Sequence, residues 1–245
     1  MHNLLKTIDK LKSEIDDMKP LKSSELKQLK DYYKIGLTYS SNAIEGNSID
    51  ETETKIIIEN GLTIGGKPLR EHFEVIGHSD AYEYIYTLLN NKSIKESDIK
   101  QIHYLFYRHI DEKNAGKYRK DRVYITGSEH MPPAPQNISR CMKEYVLELQ
   151  DIKSDHHPVV YAAIAHRNFV AIHPFIDGNG RVARLLMNLI LIQAGYPIAI
   201  IPPILRRQYI QALEKSHVKK DNSEFIKFIA ECVKQTQKDY LRMLS

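Results

Sequence analysis

The chain has 245 residues, 42% of them hydrophobic, enough to bury one sizeable core and carry a small appended element. A formal net charge of +4, from 35 basic and 31 acidic residues, is too slight to point to nucleic acid, and none is expected as a partner. No run approaches the ~18 apolar residues of a membrane span, the start lacks a signal-peptide pattern, and Cys141 and Cys232 have neither paired-ligand spacing nor a secretory setting, so a soluble cytoplasmic protein without a membrane partner is expected.

In chain order, Leu4, Leu5, Ile8, Leu11, Ile15 and Met18 recur near helical spacing among charged residues, which predicts an amphipathic helix closed by Pro20. The pattern resumes at Ser23, with Ser23 or Ser24 as N-cap, and runs through Leu26, Leu29, Tyr33 and Leu37 to a stop at Gly46. Ser41 and Glu45 share a face of this helix. A carboxylate near a helix C-terminus is unfavourable, so Glu45 is either simply solvated or has a guanidinium to meet. Asp50 caps a helix that ends at Gly61, and Gly65-Gly66-Lys67-Pro68 is a turn, not a phosphate loop, because no Ser or Thr follows the lysine. Leu69, Phe73, Ile76, Ala81 and Ile85 predict a long core helix, and Ser97 caps the next one.

Between Gly116 and Pro135 the texture changes. Val123-Tyr124-Ile125-Thr126 is β-prone, and Gly127 with Pro132, Pro133 and Pro135 ends it, which predicts a small β-hairpin. Helix returns from Gln136 to Ile152 through Met142, Tyr145, Val146 and Leu149. His156, His157 and His166 match no metal-ligand spacing and read as structural or surface residues. A buried helix follows over Val159–Ile172, and another opens near Gly178 to Gly180 with Val182, Leu185, Leu186, Leu189 and Ile190. Arg206 to Glu214 and Phe225 to Leu244 supply the last two helices. The expected fold is therefore all-α with one small hairpin.

The twelve residues His173 to Arg184 carry the chemistry. Pro174 pushes His173 out of the helix, leaving an imidazole whose ordinary pKa suits proton acceptance near pH 7. Gly178-Asn179-Gly180 opens a helix whose unpaired N–H groups and partial positive charge favour phosphate. Arg181 and Arg184 share a face there, work against the helix dipole, and would be offset by an anion in front of it. Asp177 repels phosphate but can hold the Mg²⁺ that a polyphosphate brings. These are the parts for attack by a hydroxyl on a nucleotide phosphate. A calcium loop fails because Arg181 and Asn188 stand where ligands are needed, while a satisfied core histidine beside ordinary loop glycines stays open.

His173, Phe175, Asp177, Gly178, Asn179, Gly180, Arg181 and Arg184 match every defined position of His-x-Phe-x-Asp/Glu-Gly-Asn-Gly-Arg-x-x-Arg, and the chain thereby resembles the Fic family. The resemblance implies a Fic-type helical core and transfer of AMP from ATP to a Ser, Thr or Tyr hydroxyl of a protein. It implies His173 as base, Asp177 as Mg²⁺ ligand, Gly178, Asn179 and Gly180 as the anion hole, and Arg181 and Arg184 on the outer phosphates. Ser41, Glu45 and Gly46 match the family's inhibitory motif, which implies that Glu45 pairs with Arg184. By the same resemblance Val123, Tyr124 and Ile125 belong to a flap over about 117–135 that docks the target, Thr126, Gly127 and Ser128 line the nucleotide site, and Tyr209 lies beside the adenosine. Residues 1–60 would form an inhibitory arm and 61–245 the catalytic domain.

Gly180, where Doc-type relatives usually have Lys, favours AMP transfer over phosphorylation, although relatives that move phosphocholine share much of this loop. Removal of AMP, another nucleotide donor and a non-catalytic nucleotide sensor remain alternatives. Self-modification on one of the 15 tyrosines and a homodimer are also compatible with the resemblance.

Overall fold

The computed structural model of the protein describes residues 1–244. Among them are α1 (His2–Asp17), α2 (Ser23–Ile44), α3 (Glu51–Asn60), α4 (Leu69–Thr87), α5 (Glu96–Tyr107), α6 (Ile138–Asp155), α7 (Pro158–Ile172), α8 (Asn179–Gln193), α9 (Arg206–Val218) and α10 (Ser223–Leu244), with short 3₁₀ turns at Pro135–Asn137 and Pro203–Leu205.

The centre is α8. Val182, Ala183, Leu185, Leu186, Met187, Leu189, Ile190 and Leu191 are all buried, and so are Arg181, Arg184 and Asn188, so this helix is enclosed around its whole circumference with one polar stripe. Each Leu or Ile shut away there contributes about 1.5–3 kcal/mol relative to exposure. α7 lies along α8, α6, α9 and α10 cover α7, and α4 and α5 cover α8. α2 spans α4 and reaches α8, while α1 closes the far side against α10. No helix among the described residues is long and apolar enough to cross a membrane.

Local chemistry sets the helix ends. Asp50 and Glu53 each accept the other's N–H at 2.8 Å, and Gly61 stops α3 at φ 65. α2 and α5 start earlier than serine capping predicts. The acid in the first turn does the work instead: Glu25 accepts the Lys22 N–H and Asp98 the Lys95 N–H, both at 2.8 Å. Leu69 and Ile76 of α4 lie exposed, because the buried face of this helix includes the polar His72, Glu74 and His78.

The all-α class holds, but the β-hairpin does not form: no strand occurs among the described residues. Residues 120–134 run without regular structure around a turn in which Ser128 N–H donates to the Ile125 carbonyl at 3.1 Å and Gly127 takes φ 77. Pro132 and Pro133 bring no N–H to a ladder, and no third strand supports the pair. A guanidinium joins the two arms instead. Arg119 donates to the carbonyls of Asp121 at 2.8 Å and Pro133 at 2.7 Å.

Candidate active site

The last turn of α7 delivers His173, whose N–H still donates to the Phe169 carbonyl at 3.1 Å. Its backbone is left-handed, φ 50 and ψ 58, a conformation that costs a non-glycine residue about 1–3 kcal/mol and needs support from its surroundings. Arg119 supplies it: Nε–H donates to the His173 carbonyl at 2.8 Å and the backbone N–H to the Pro174 carbonyl at 2.9 Å. Phe175 is buried and stacked on His103, ring centroids 3.7 Å apart. Asn179 closes the loop from the other end, its amide accepting the Phe175 N–H at 2.9 Å and donating to the Phe175 carbonyl at 2.8 Å. Gly178 is required: its φ is 78, and a Cβ there would meet the Phe106 ring at 2.8 Å.

Burial lowers the His173 pKa to about 4, with the Val170 carbonyl opposing the shift and Arg119 adding to it. The imidazole is thus neutral near pH 7. Nδ1 is buried without a partner of full hydrogen-bond geometry, so Nε2 is the nitrogen open to a reactant. Beyond it lies the start of α8, where the N–H groups of the first turn have no intrahelical acceptor.

Asp177 sits at the same mouth. Its carboxylate meets Arg70 at 2.6 Å and Arg181 at 3.5 Å, and its side chain is 40% exposed. Arg181 also pairs with Glu74 at 3.3 Å and lies 4.5 Å over the Phe106 ring.

Arg184 is buried and faces the front of the chain. Nε–H donates to the Ser41 hydroxyl at 2.9 Å, while Nη2 donates to the Ser41 carbonyl at 2.9 Å and to Glu45 Oε1 at 2.7 Å. The fork is shared between Ser41 and Glu45, in place of a bidentate grip on the carboxylate alone. Glu45 caps the C-terminal end of α2, before Gly46 at φ 96, and Arg206 donates to the Ile44 carbonyl at 2.6 Å. Burial pushes the Glu45 carboxyl up, but Arg184, Arg181 and Arg206 outweigh it and its pKa is lowered. A Cβ at Gly180 would overlap this carboxylate, which places Glu45 directly over the opening turn of α8.

The profile of the Fic/DOC family matches residues 93–191. A protein adenylyltransferase Fic of Drosophila grimshawi is 40% identical over 205 residues, 83% of this chain and 42% of that protein. The chain thus spans less than half the length of the curated relatives it matches. A C. elegans Fic-1 fragment superposes with a TM-score of 0.89 at 31% identity, over 99% of this chain and 72% of that one. The chain belongs to the Fic/DOC family. A Fic domain containing signaling protein from Bacteroides thetaiotaomicron matches with a TM-score of 0.87 at 26% identity, over 95% of this chain and 94% of that one.

The Fic loop thus gathers His173, Asp177, Gly178, Asn179, Gly180, Arg181 and Arg184 around one helix mouth, with Ser41 and Glu45 against it. Tyr209 stands beside Arg184 with only 2% exposure, its hydroxyl 3.4 Å from Nη1 and 3.0 Å from His166 Nε2. What it offers in this state is support for the guanidinium. The flap turn Thr126-Gly127-Ser128 is tied to α9, where Glu214 accepts the Ser128 hydroxyl and the Glu129 N–H, the latter at 2.7 Å. Tyr124 is 73% exposed between the partly covered Val123 and Ile125.

Sequence reasoning missed Arg70, Glu74, His103, Arg119, Arg206 and Glu214, each of which supports a residue of the Fic loop, the Glu45 turn or the flap. Only Arg119 had a signal to follow. It stands at the entrance to the non-helical stretch, where a buried cation has main-chain carbonyls to satisfy.

Proposed function

We propose that the chain transfers AMP from ATP to a hydroxyl side chain of a protein, and that Glu45 restrains this activity. The observation that carries the reading is a neutral imidazole held at the rim of a helix N-terminus that also presents two guanidinium groups. The hydroxyl oxygen attacks the α-phosphorus, the bond from that phosphorus to the β-phosphate oxygen breaks, and pyrophosphate leaves. His173 Nε2 takes the hydroxyl proton. The first-turn N–H groups of α8 meet the charge growing on the phosphate oxygens, and Arg181 and Arg184 neutralise the leaving group.

Asp177 suits Mg²⁺, an ion commonly held by one or two carboxylates together with substrate phosphates, and its carboxylate, which now accepts from Arg70, would hold it. Such an ion would neutralise phosphate charge and fix the orientation of the polyphosphate. In this reading residues 1–60 form an arm carrying the plug, 61–245 form the catalytic domain, and the extended 123–125 segment offers main-chain groups to a target strand. Glu45 occupies Arg184 and the front of α8, so the outer phosphates meet a carboxylate where they need cations.

The test is labelled ATP with Mg²⁺ and the purified chain. Glu45→Gly should acquire AMP, on itself or on an added protein, faster than the unsubstituted chain. Adding His173→Ala should abolish the label, and equal labelling with and without the imidazole would remove His173 as the base. The ionised Glu45 carboxylate, 34% exposed, favours one second reading, in which it orients water and AMP is removed from a modified protein. In that case Glu45→Gly loses the activity.

A further inference from the structure

We infer that Arg119 is a positioning residue that joins the flap and the His173 loop into one mechanical unit, so that seating the target segment and aiming the imidazole are a single event. The inference rests on the transferase reading of the same site.

Arg119 is 5% exposed, and among the described residues no carboxylate pairs with it. A buried guanidinium without a counter-ion needs strong acceptors at every nitrogen, and this one has three main-chain carbonyls: His173 at 2.8 Å, Asp121 at 2.8 Å and Pro133 at 2.7 Å. Asp121 and Pro133 lie on opposite arms of the flap. His173 is the residue with the left-handed backbone. One rigid planar fork therefore fixes the separation of the two arms and their distance from the imidazole-bearing residue, which a lysine with a single ammonium cannot do.

A second tie leaves the same segment. Gly116 N–H donates to His103 Nδ1 at 2.9 Å, which leaves the proton on Nε2, 3.1 Å from the Asp177 carbonyl. Between the two ties, the Tyr118 ring leans on Phe175 with centroids 5.6 Å apart. Residues 116–119 thus hold the loop at both ends, at His173 through Arg119 and at Asp177 through His103. The flap continues from that strap, and His130 adds a tie from its far arm to the Ala171 carbonyl at 2.8 Å.

The coupling is tested in the Glu45→Gly background. Arg119→Ala should raise amide hydrogen exchange together in 120–134 and in 173–178, each by ~10-fold or more, while α8 from Leu185 to Leu191 keeps its protection. AMP transfer should fall by about 100-fold in kcat with KM for MgATP within about 3-fold, because the imidazole is misaimed while the phosphate cradle stays. Guanidinium ion should recover part of the rate in Arg119→Ala and none in Arg119→Lys. If Arg119→Ala does not fold, Arg119→Lys carries the test, with a loosened flap and a loop held by the one contact it keeps. Exchange rising in the flap alone for Arg119→Ala, or in the flap for neither variant, would overturn the coupling, as would an unchanged kcat. Should Glu45→Gly with Arg119 intact transfer nothing, the transferase reading fails, and the exchange measurement still decides the coupling by itself.

Discussion

Arg184 has four of its five N–H groups engaged, by Ser41 twice, Glu45 once and Tyr209 once. Burying a guanidinium to 1% exposure is costly without such partners, and in the proposed reaction a phosphate replacing Glu45 would inherit an arginine already oriented by the other two residues. Ser41 is then as much a part of the plug as the carboxylate. Ser41→Ala removes the acceptor on Nε–H and leaves a buried charged donor unpaired, which should lower stability by about 1–3 kcal/mol, read from the urea midpoint. The same variant should transfer AMP at a rate between those of the unsubstituted chain and Glu45→Gly. Glu45→Gln keeps the shape but trades an ion pair for a weaker bond from the charged guanidinium to a neutral amide oxygen. Its rate should also be intermediate, and a rate equal to that of Glu45→Gly would mean that charge alone makes the plug.

The flap is an element without a ladder, held by side chains at a few points: Arg119 inside, Glu214 at the turn and His130 toward α7. Its own turn bond does not carry it. Glu214→Ala should therefore let a protease cut within 120–134 several-fold faster while the urea midpoint moves by no more than ~0.5 kcal/mol, the usual range for a surface position away from the core. Unchanged cleavage would leave the flap to Arg119 and His130. This element also marks where the sequence was legible and where it was not. α7 and α8 could be read from their apolar runs, and the ends of α3 from Asp50 and Gly61, because local spacing dictates them. The hairpin was misread since β propensity at 123–126 says nothing of whether a ladder partner exists. The contact of Glu45 with Arg184, 139 residues apart, was reachable only through the family's motif, and the hidden supports at Arg70 and Glu214 had no signal at all. Long-range polar pairs leave no pattern along the chain.

Across the whole molecule, several imidazoles are held neutral inside the fold. Burial lowers His78 to about 3, His103, His173 and His217 to about 4, and His166 well below its ordinary value. The unfolded chain protonates these groups near 6.5, whereas the folded chain does not until about 4 or below. Between those limits the unfolded state binds more protons, so stability falls as pH drops, by on the order of 1 kcal/mol per pH unit for each such histidine at most. Carboxylates act later and in the same direction. Glu45 and Glu83 have lowered pKa values, so their contribution is present above ~4.5 and is lost only as pH falls through the lower folded value. Urea midpoints at pH 7.5, 6.5, 5.5 and 4.8 should therefore decline well before the carboxylates titrate, and a flat profile down to 4.8 would mean that the folded state admits the protons. His78→Asn should flatten the decline by one histidine's share, whatever it costs at pH 7.5 through the 3.0 Å contact with Thr38. The position of these groups gives the acid effect a direction. Arg184 adds its charge to the burial that keeps both His78 and His166 neutral, so a proton on either would push against the guanidinium that holds Glu45.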